Sequence, residues 1–213
     1  MRSPTGVLAA VLALGALAPQ GVPVQEVGSV EGRVTFENVP QIGEFQASDA
    51  VVYLQGESLT TDLAGEQPTT DSPVLDQQDY TFVPRVLPVM AGVEINFHNS
   101  DDELHNIHTR SKGRRRNREF NRAQRPNSSL STVFQRPDSI RVVCDIHSQM
   151  IAHILVLPNP FFTKIADDGT YSIAGVPPGE YELVAWHEFY GRVTSTVEVT
   201  AGEATTADVT MLR

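Results

Sequence analysis

The chain has 213 residues, 16 Lys and Arg against 26 Asp and Glu, a formal net charge of -10, and one cysteine. One cysteine cannot close an intramolecular disulfide, so no disulfide framework holds the fold. Composition that is 40% hydrophobic and 20% charged is ordinary for a globular chain and excludes wholesale disorder. The acidic balance argues against the whole surface binding nucleic acid.

Arg2 is followed by Val7 to Ala18 (VLAAVLALGALA), a run of apolar and small residues too short to cross a bilayer, which needs about 20. A basic start, a short apolar run and Ala16-Leu17-Ala18 have the form of a secretory signal peptide, assigned to residues 1–21. Pro19 makes the cut site itself indeterminate. The expectation is a periplasmic or secreted protein with no membrane segment after signal removal. Its free thiol is then exposed to oxidation unless something occupies it.

Downstream, short β-branched or alternating runs recur between turn residues. They predict strands at Ser29–Phe36, Ala50–Leu54, Tyr80–Pro84, Val93–Asn99, Ser131–Phe134, Ser139–Cys144, His153–Leu157, Gly169–Ile173, Tyr181–Trp186, Val193–Val199 and Ala207–Leu212. Turns are expected at Asp167-Asp168-Gly169 and Pro177-Pro178-Gly179, and Gly56 to Pro73 reads as a polar linker or loop. No window after the signal has helical periodicity, so the fold class is all-β, a sandwich or barrel.

Charge is uneven. Residues 110–125 hold eight of the basic residues and one acid, a local +7 against -17 for the rest. This segment reads either as a solvated loop between strands or as a docking surface for an acidic partner. Nucleic acid is disfavoured by export and by the acidic remainder.

The chemistry centres on Arg141-Val-Val-Cys-Asp-Ile-His-Ser-Gln-Met150, a C-x2-H-x2-M pattern of Cys144, His147 and Met150. Thiolate, imidazole and thioether together form a soft ligand set that suits copper, and two histidines, one cysteine and a weak axial methionine make a blue-copper site. Zinc fits less well, because methionine is a poor zinc ligand. A second histidine must come from elsewhere, and His98, His105 and His108 compete. If Val93, Ile95 and Phe97 face inward, His98 faces solvent. After a turn at Ser100–Glu103, His105 shares a face with Ile107 while His108 opposes it, which favours His105. Cys144 falls on the inward face with Ile140 and Val142.

Residues Gln78 to Leu157 resemble a cupredoxin, the family of plastocyanin, pseudoazurin and amicyanin. The matching motifs are Tyr80-Thr-Phe-Val-Pro84, Ala91-Gly-Val-Glu-Ile-Asn-Phe-His-Asn99, His105-Asn106 and Cys144-x2-His147-x2-Met150. The resemblance implies one copper ion held by His105, Cys144, His147 and Met150, with Asn106 bracing the ligand loop and His147 as the surface portal for electrons. It implies an electron carrier and not an enzyme. Copper oxidases and nitrite reductases need further histidine-rich centres, and six histidines are too few.

The flanks are similar to a carboxypeptidase regulatory-like, transthyretin-like sandwich, through Gly28-Ser-Val-Glu-Gly-Arg-Val-Thr35, Ala50-Val-Val-Tyr-Leu54 and Asp167 to Leu183. The arrangement also resembles plastocyanin-like proteins of methylamine utilisation. The expected organisation is a Greek-key β-sandwich (cupredoxin) at 74–158 joined to or inserted in a second small β-sandwich built from 28–60 and 160–213. A redox protein partner is expected to dock at His147 or at the basic segment Arg110–Arg125. Alternatives are a copper-handling protein, with His98, His108 and His153 extending the site, and a non-metal binding sandwich. His187 takes no role from the resemblance.

Overall fold

The computed structural model describes residues 26–39, 45–59, 72–111 and 117–213. The expected signal peptide, the middle of the expected linker and basic residues Lys112 to Arg116 lie outside them. The described chain is all-β, as composition and turn spacing predict, with only two short 3-10 turns, Ala47–Asp49 and Glu57–Leu59. Among the described residues, no helix is long and apolar enough to cross a membrane.

The strands are β1 (Gly28–Phe36), β2 (Val51–Gln55), β3 (Val74–Gln78), β4 (Thr81–Val83), β5 (Val86–Met90), β6 (Glu94–Asn99), β7 (His105–Ser111), β8 (Asn121–Gln124), β9 (Ser128–Val133), β10 (Asp138–Val143), β11 (Ile151–Leu157), β12 (Phe162–Lys164), β13 (Thr170–Val176), β14 (Gly179–His187), β15 (Gly191–Val199), β16 (Ala204–Thr206) and β17 (Val209–Met211). They form four sheets. One has the order β13-β1-β16 with β17 also on β1, and a second runs β12-β2-β14-β15. The third runs β5-β11-β10-β7-β8 and the fourth β4-β3-β6-β9.

Alternation of side chains explains how these sheets stack. On β14, Tyr181, Leu183 and Ala185 enter a core with Val30, Val34, Val52, Leu54 and Ile173, while Val184 and Trp186 face the other way. On β11, Ala152, Ile154 and Val156 enter a second core with Leu75, Ile95, Phe97, Ile107, Ile140 and Val142. Leu155 and Leu157 on its opposite face meet Val51, Tyr53, Val184 and Trp186 in a third apolar layer. Successive residues of a strand point to opposite faces. A strand buried on both faces therefore reads as an unbroken apolar run, as HILVL in β11 and LVAW in β14 do. The result is two sandwiches packed face to face through their inner sheets.

An ion network closes the junction. Glu188, just past β14, takes Arg85 through both carboxylate oxygens, with Nη2 to Oε2 at 3.1 Å, and lies 3.2 Å from His153 Nε2. Burial pushes the Glu188 carboxyl up, but the bonds from His153 and Arg85 outweigh it and bring it down to about 2. His153 shares the β11 face of Leu155, and its ring packs tilted against Trp186 with centroids 5.4 Å apart.

The reading of residues 110–125 as a loop between strands is corrected in part. β7 runs on to Ser111, and Asn121–Gln124 forms β8, paired with His105–His108. Arg122 stays exposed on this edge strand while Gln124 is buried, and charged edge strands resist pairing with other chains.

Candidate metal centre

The site lies where β7 begins and β10 ends, two neighbouring antiparallel strands of the third sheet. Their register sets Val142 against Thr109 and Val143 against His108. Cys144 therefore leaves β10 on the inward face, beside the open end of β7. The chain then turns through Asp145 to Gln149 and enters β11. Two backbone bonds close this turn, Met150 N–H to the His147 carbonyl at 3.0 Å and Cys144 N–H to the Met150 carbonyl at 3.2 Å.

His105, Cys144 and His147 bring one ligand atom each within 4.8 Å of one another. His105 Nδ1 and His147 Nδ1 are 2.9 Å apart, and Cys144 Sγ is 3.8 Å from His147 Nδ1. Met150 is fully buried in the apolar core that also holds Cys144. Parity along the strands holds: His105 and Ile107 are both fully buried, while His108 is on the opposite face and only half-buried.

The donor set fits a soft metal ion. Metal–nitrogen and metal–sulfur bonds of about 2.0–2.3 Å require ligand atoms no more than about 4.4 Å apart. The His105–His147 and Cys144–His147 separations satisfy that limit, and all three ligand atoms lie within 4.8 Å of one another. His105 Nε2 lies 2.7 Å from Asp101 Oδ2, which places the ring proton on Nε2 and leaves Nδ1 as a lone pair directed at His147 and the thiol. Burial pushes the Asp101 carboxyl up, but bonds from Tyr80 N–H, His105 and Asp79 N–H reverse this and hold it below the ordinary range.

Asn106 ties the two ligand segments together. Its Oδ1 accepts the Asp145 N–H at 2.8 Å and lies 3.3 Å from Cys144 Sγ, while its Nδ2 donates to Asn121 Oδ1 at 2.7 Å. The histidines without an expected role are also accounted for. His108 Nδ1 is 3.0 Å from Asp145, and this bond, with others from Asn121 and Asn106, lowers the Asp145 carboxyl. His98 Nδ1 bonds Ser129 Oγ at 2.8 Å on the outer face of β6. His187 sits among Phe36, Phe45 and Tyr190, and burial lowers its imidazole. Among the described residues, none of His98, His108 and His153 joins the cluster of His105, Cys144 and His147.

The sequence gives Asp101 no role and Tyr80 a place only in the Tyr80–Pro84 motif, with no site role. Asp101 stands four residues before His105, in a stretch that reads simply as a polar turn. Tyr80 was placed within a strand, and it is instead a turn residue whose ring lies against both imidazoles, 5.7 Å from His105 and 5.0 Å from His147.

A family model, the carboxypeptidase regulatory-like domain, matches residues 152–212, a span that begins on β11 and ends on β17. No curated protein matches significantly. Among solved structures, the chain is similar to a copper(I) form of an amicyanin variant, at 17% identity over 50% of this chain and 98% of that one, with a TM-score of 0.37. A purple cupredoxin from Nitrosopumilus maritimus is 16% identical over 40% of this chain and 99% of that one, with a TM-score of 0.34. A copper-containing nitrite reductase from Thermus scotoductus is 18% identical over 47% of this chain and 25% of that one, with a TM-score of 0.36. Identities this low leave the chemistry to be argued from the side chains.

Proposed function

We propose that this chain is an exported mononuclear type 1 copper protein that carries single electrons. The observation that supports this most is the convergence of one ligand atom each from His105, His147 and Cys144 within 4.8 Å at the end of one sheet. Copper held by a thiolate, two imidazoles and a thioether supplies a one-electron Cu(I)/Cu(II) couple.

The protein's own part is to hold the ligands still. Cys144 would provide the thiolate and Met150 the thioether. His105 is fixed in one tautomer by Asp101, and Asn106 links the β7 end to the turn that carries Cys144 and His147. Ligands on a rigid sandwich rearrange little between oxidation states, and the apolar core behind Cys144 and Met150 keeps water from the sulfur side. Four protein ligands would leave no position on the copper for a substrate, which favours a carrier over an enzyme. His147 is half-buried and His105 fully buried, so His147 is the side chain through which electrons pass to a redox protein partner. Basic residues around β8, including Arg118, Arg122 and Arg125, are the second docking surface for such a partner. The free thiol of an exported protein then has its explanation as a metal-bound thiolate.

Copper loading tests the reading. One slowly exchanging copper per chain is expected, with an intense thiolate-to-copper absorption that Cys144→Ser abolishes. Several labile coppers would instead indicate copper handling, and retention of none would leave a binding sandwich.

A further inference from the structure

The hairpin between β3 and β4 has a two-residue loop, Asp79-Tyr80, because Gln78 pairs with Thr81. Both loop residues have positive φ, 52° at Asp79 and 57° at Tyr80. A loop of that kind calls for Asn-Gly or Asp-Gly, because a residue with a Cβ resists the left-handed region. Asp79 is tolerable there. A tyrosine is the wrong residue for the backbone and is held by something outside the hairpin.

The holder is Asp101, on the turn between β6 and β7. Its Oδ1 accepts the Asp79 N–H at 2.7 Å, and its Oδ2 accepts the Tyr80 N–H at 3.0 Å. The same Oδ2 takes His105 Nε2 at 2.7 Å. One carboxylate thus fixes both the strained loop and a ligand histidine. In this position the Tyr80 ring stands edge-on to both imidazoles, at interplanar angles of 89° to His105 and 87° to His147. The residue itself is 41% exposed, while His105 beneath it is fully buried. The hydroxyl has no part in this contact, because the loop is fixed through backbone N–H groups.

We propose that the Tyr80 ring is the cover of the metal centre, a positioning residue that shields the two ligand imidazoles from solvent and from small reagents, with Asp101 latching cover and ligand together. The proposal deepens the copper reading and rests on it for the identity of the metal, but the shielding of the imidazoles is a property of the protein without metal as well.

The variant that separates shielding from folding is Tyr80→Asn. Asparagine suits the left-handed loop better than tyrosine, so the hairpin keeps its conformation while the ring is removed. In metal-free protein treated with diethyl pyrocarbonate, mass spectrometry of the His147 peptide should show modification several-fold faster in Tyr80→Asn than in the parent. Tyr80→Phe should modify at the parent's rate, since the ring and not the hydroxyl is the cover. In copper-loaded protein, transfer of Cu(I) to an excess of chelator should be about tenfold faster in Tyr80→Asn, the scale on which groups outside the ligand shell affect a metal site. Unchanged His147 modification in Tyr80→Asn, or a Tyr80→Phe protein as reactive as Tyr80→Asn, overturns the proposal. If the parent binds no copper, the copper reading fails while the modification rates still decide the cover.

Discussion

Replacing Glu188 by Gln tests whether the two sandwiches are held together by charge. In the folded chain the carboxyl is held from 4.5 down to about 2, because the bonds from His153 and Arg85 outweigh the upward push of burial. A displacement of that size corresponds to about 3 kcal/mol favouring the folded state when Glu188 is ionised. Glu188 is nearly buried, at 9% side-chain exposure, so little of this is screened. The folded value lies below the unfolded one. The contribution is therefore complete above about pH 4.5 and is lost as pH falls towards 2. Glu188→Gln should lose about 3 kcal/mol in urea unfolding at pH 7, because it removes the ionised carboxylate that the bonds from His153 and Arg85 stabilise. The deficit should shrink steadily below pH 4.5, where the parent carboxyl itself becomes neutral. The single tryptophan, Trp186, is the reporter, since it packs at 5.4 Å against His153 in the same network. A variant within about 0.5 kcal/mol of the parent at pH 7, the range of an ordinary surface change, would refute the reasoning. So would a deficit that stays constant down to pH 3.

Asn106→Ala removes the acceptor of the Asp145 N–H and should cost about 1–3 kcal/mol of stability, with a shifted copper spectrum as the turn loosens. Asp101→Ala frees His105 Nε2 and should weaken copper binding by about 10–100-fold, measured by competition with a chelator. Gly169→Ala places a Cβ 2.6 Å from the Val34 carbonyl oxygen at a φ of +86°. It should cost about 1–3 kcal/mol in unfolding while leaving the copper spectrum unchanged, because it lies in the other sandwich.

Much of this architecture was legible because the apolar runs carry the strand period. Ile140, Val142 and Cys144 alternate inward as expected, and so do Ile95 and Phe97. Two strands absent from the sequence expectation, β5 and β8, lack that signal for identifiable reasons. β5 contains Pro88, which suits a strand only at an edge, and β5 pairs with β11 alone. β8, NRAQ, has a single buried residue, and its polar, Arg-bearing sequence looks like loop. The cluster of His105, Cys144 and His147 could be read from residue type and parity. His105 was separable from His98 and His108 because each lies on a definable face.

Asp101 and Tyr80 were not readable in this way. Their importance comes from a carboxylate reaching across from the β6–β7 turn to the β3–β4 loop, a contact between segments 21 residues apart that leaves no local pattern. The junction network was hidden for the same reason. Arg85 and Glu188 stand 103 positions apart and meet only because β5, β11 and β14 stack.

The most direct test of the central claim is a reductive titration of the Cu(II)-loaded protein, followed through the thiolate-to-copper absorption. One electron per chain should bleach the band completely, reoxidation should restore it, and copper should stay bound throughout. A protein that takes up copper without this absorption, or that releases the metal on reduction, would contradict the assignment of Cys144, His105, His147 and Met150 as an electron-carrying copper centre.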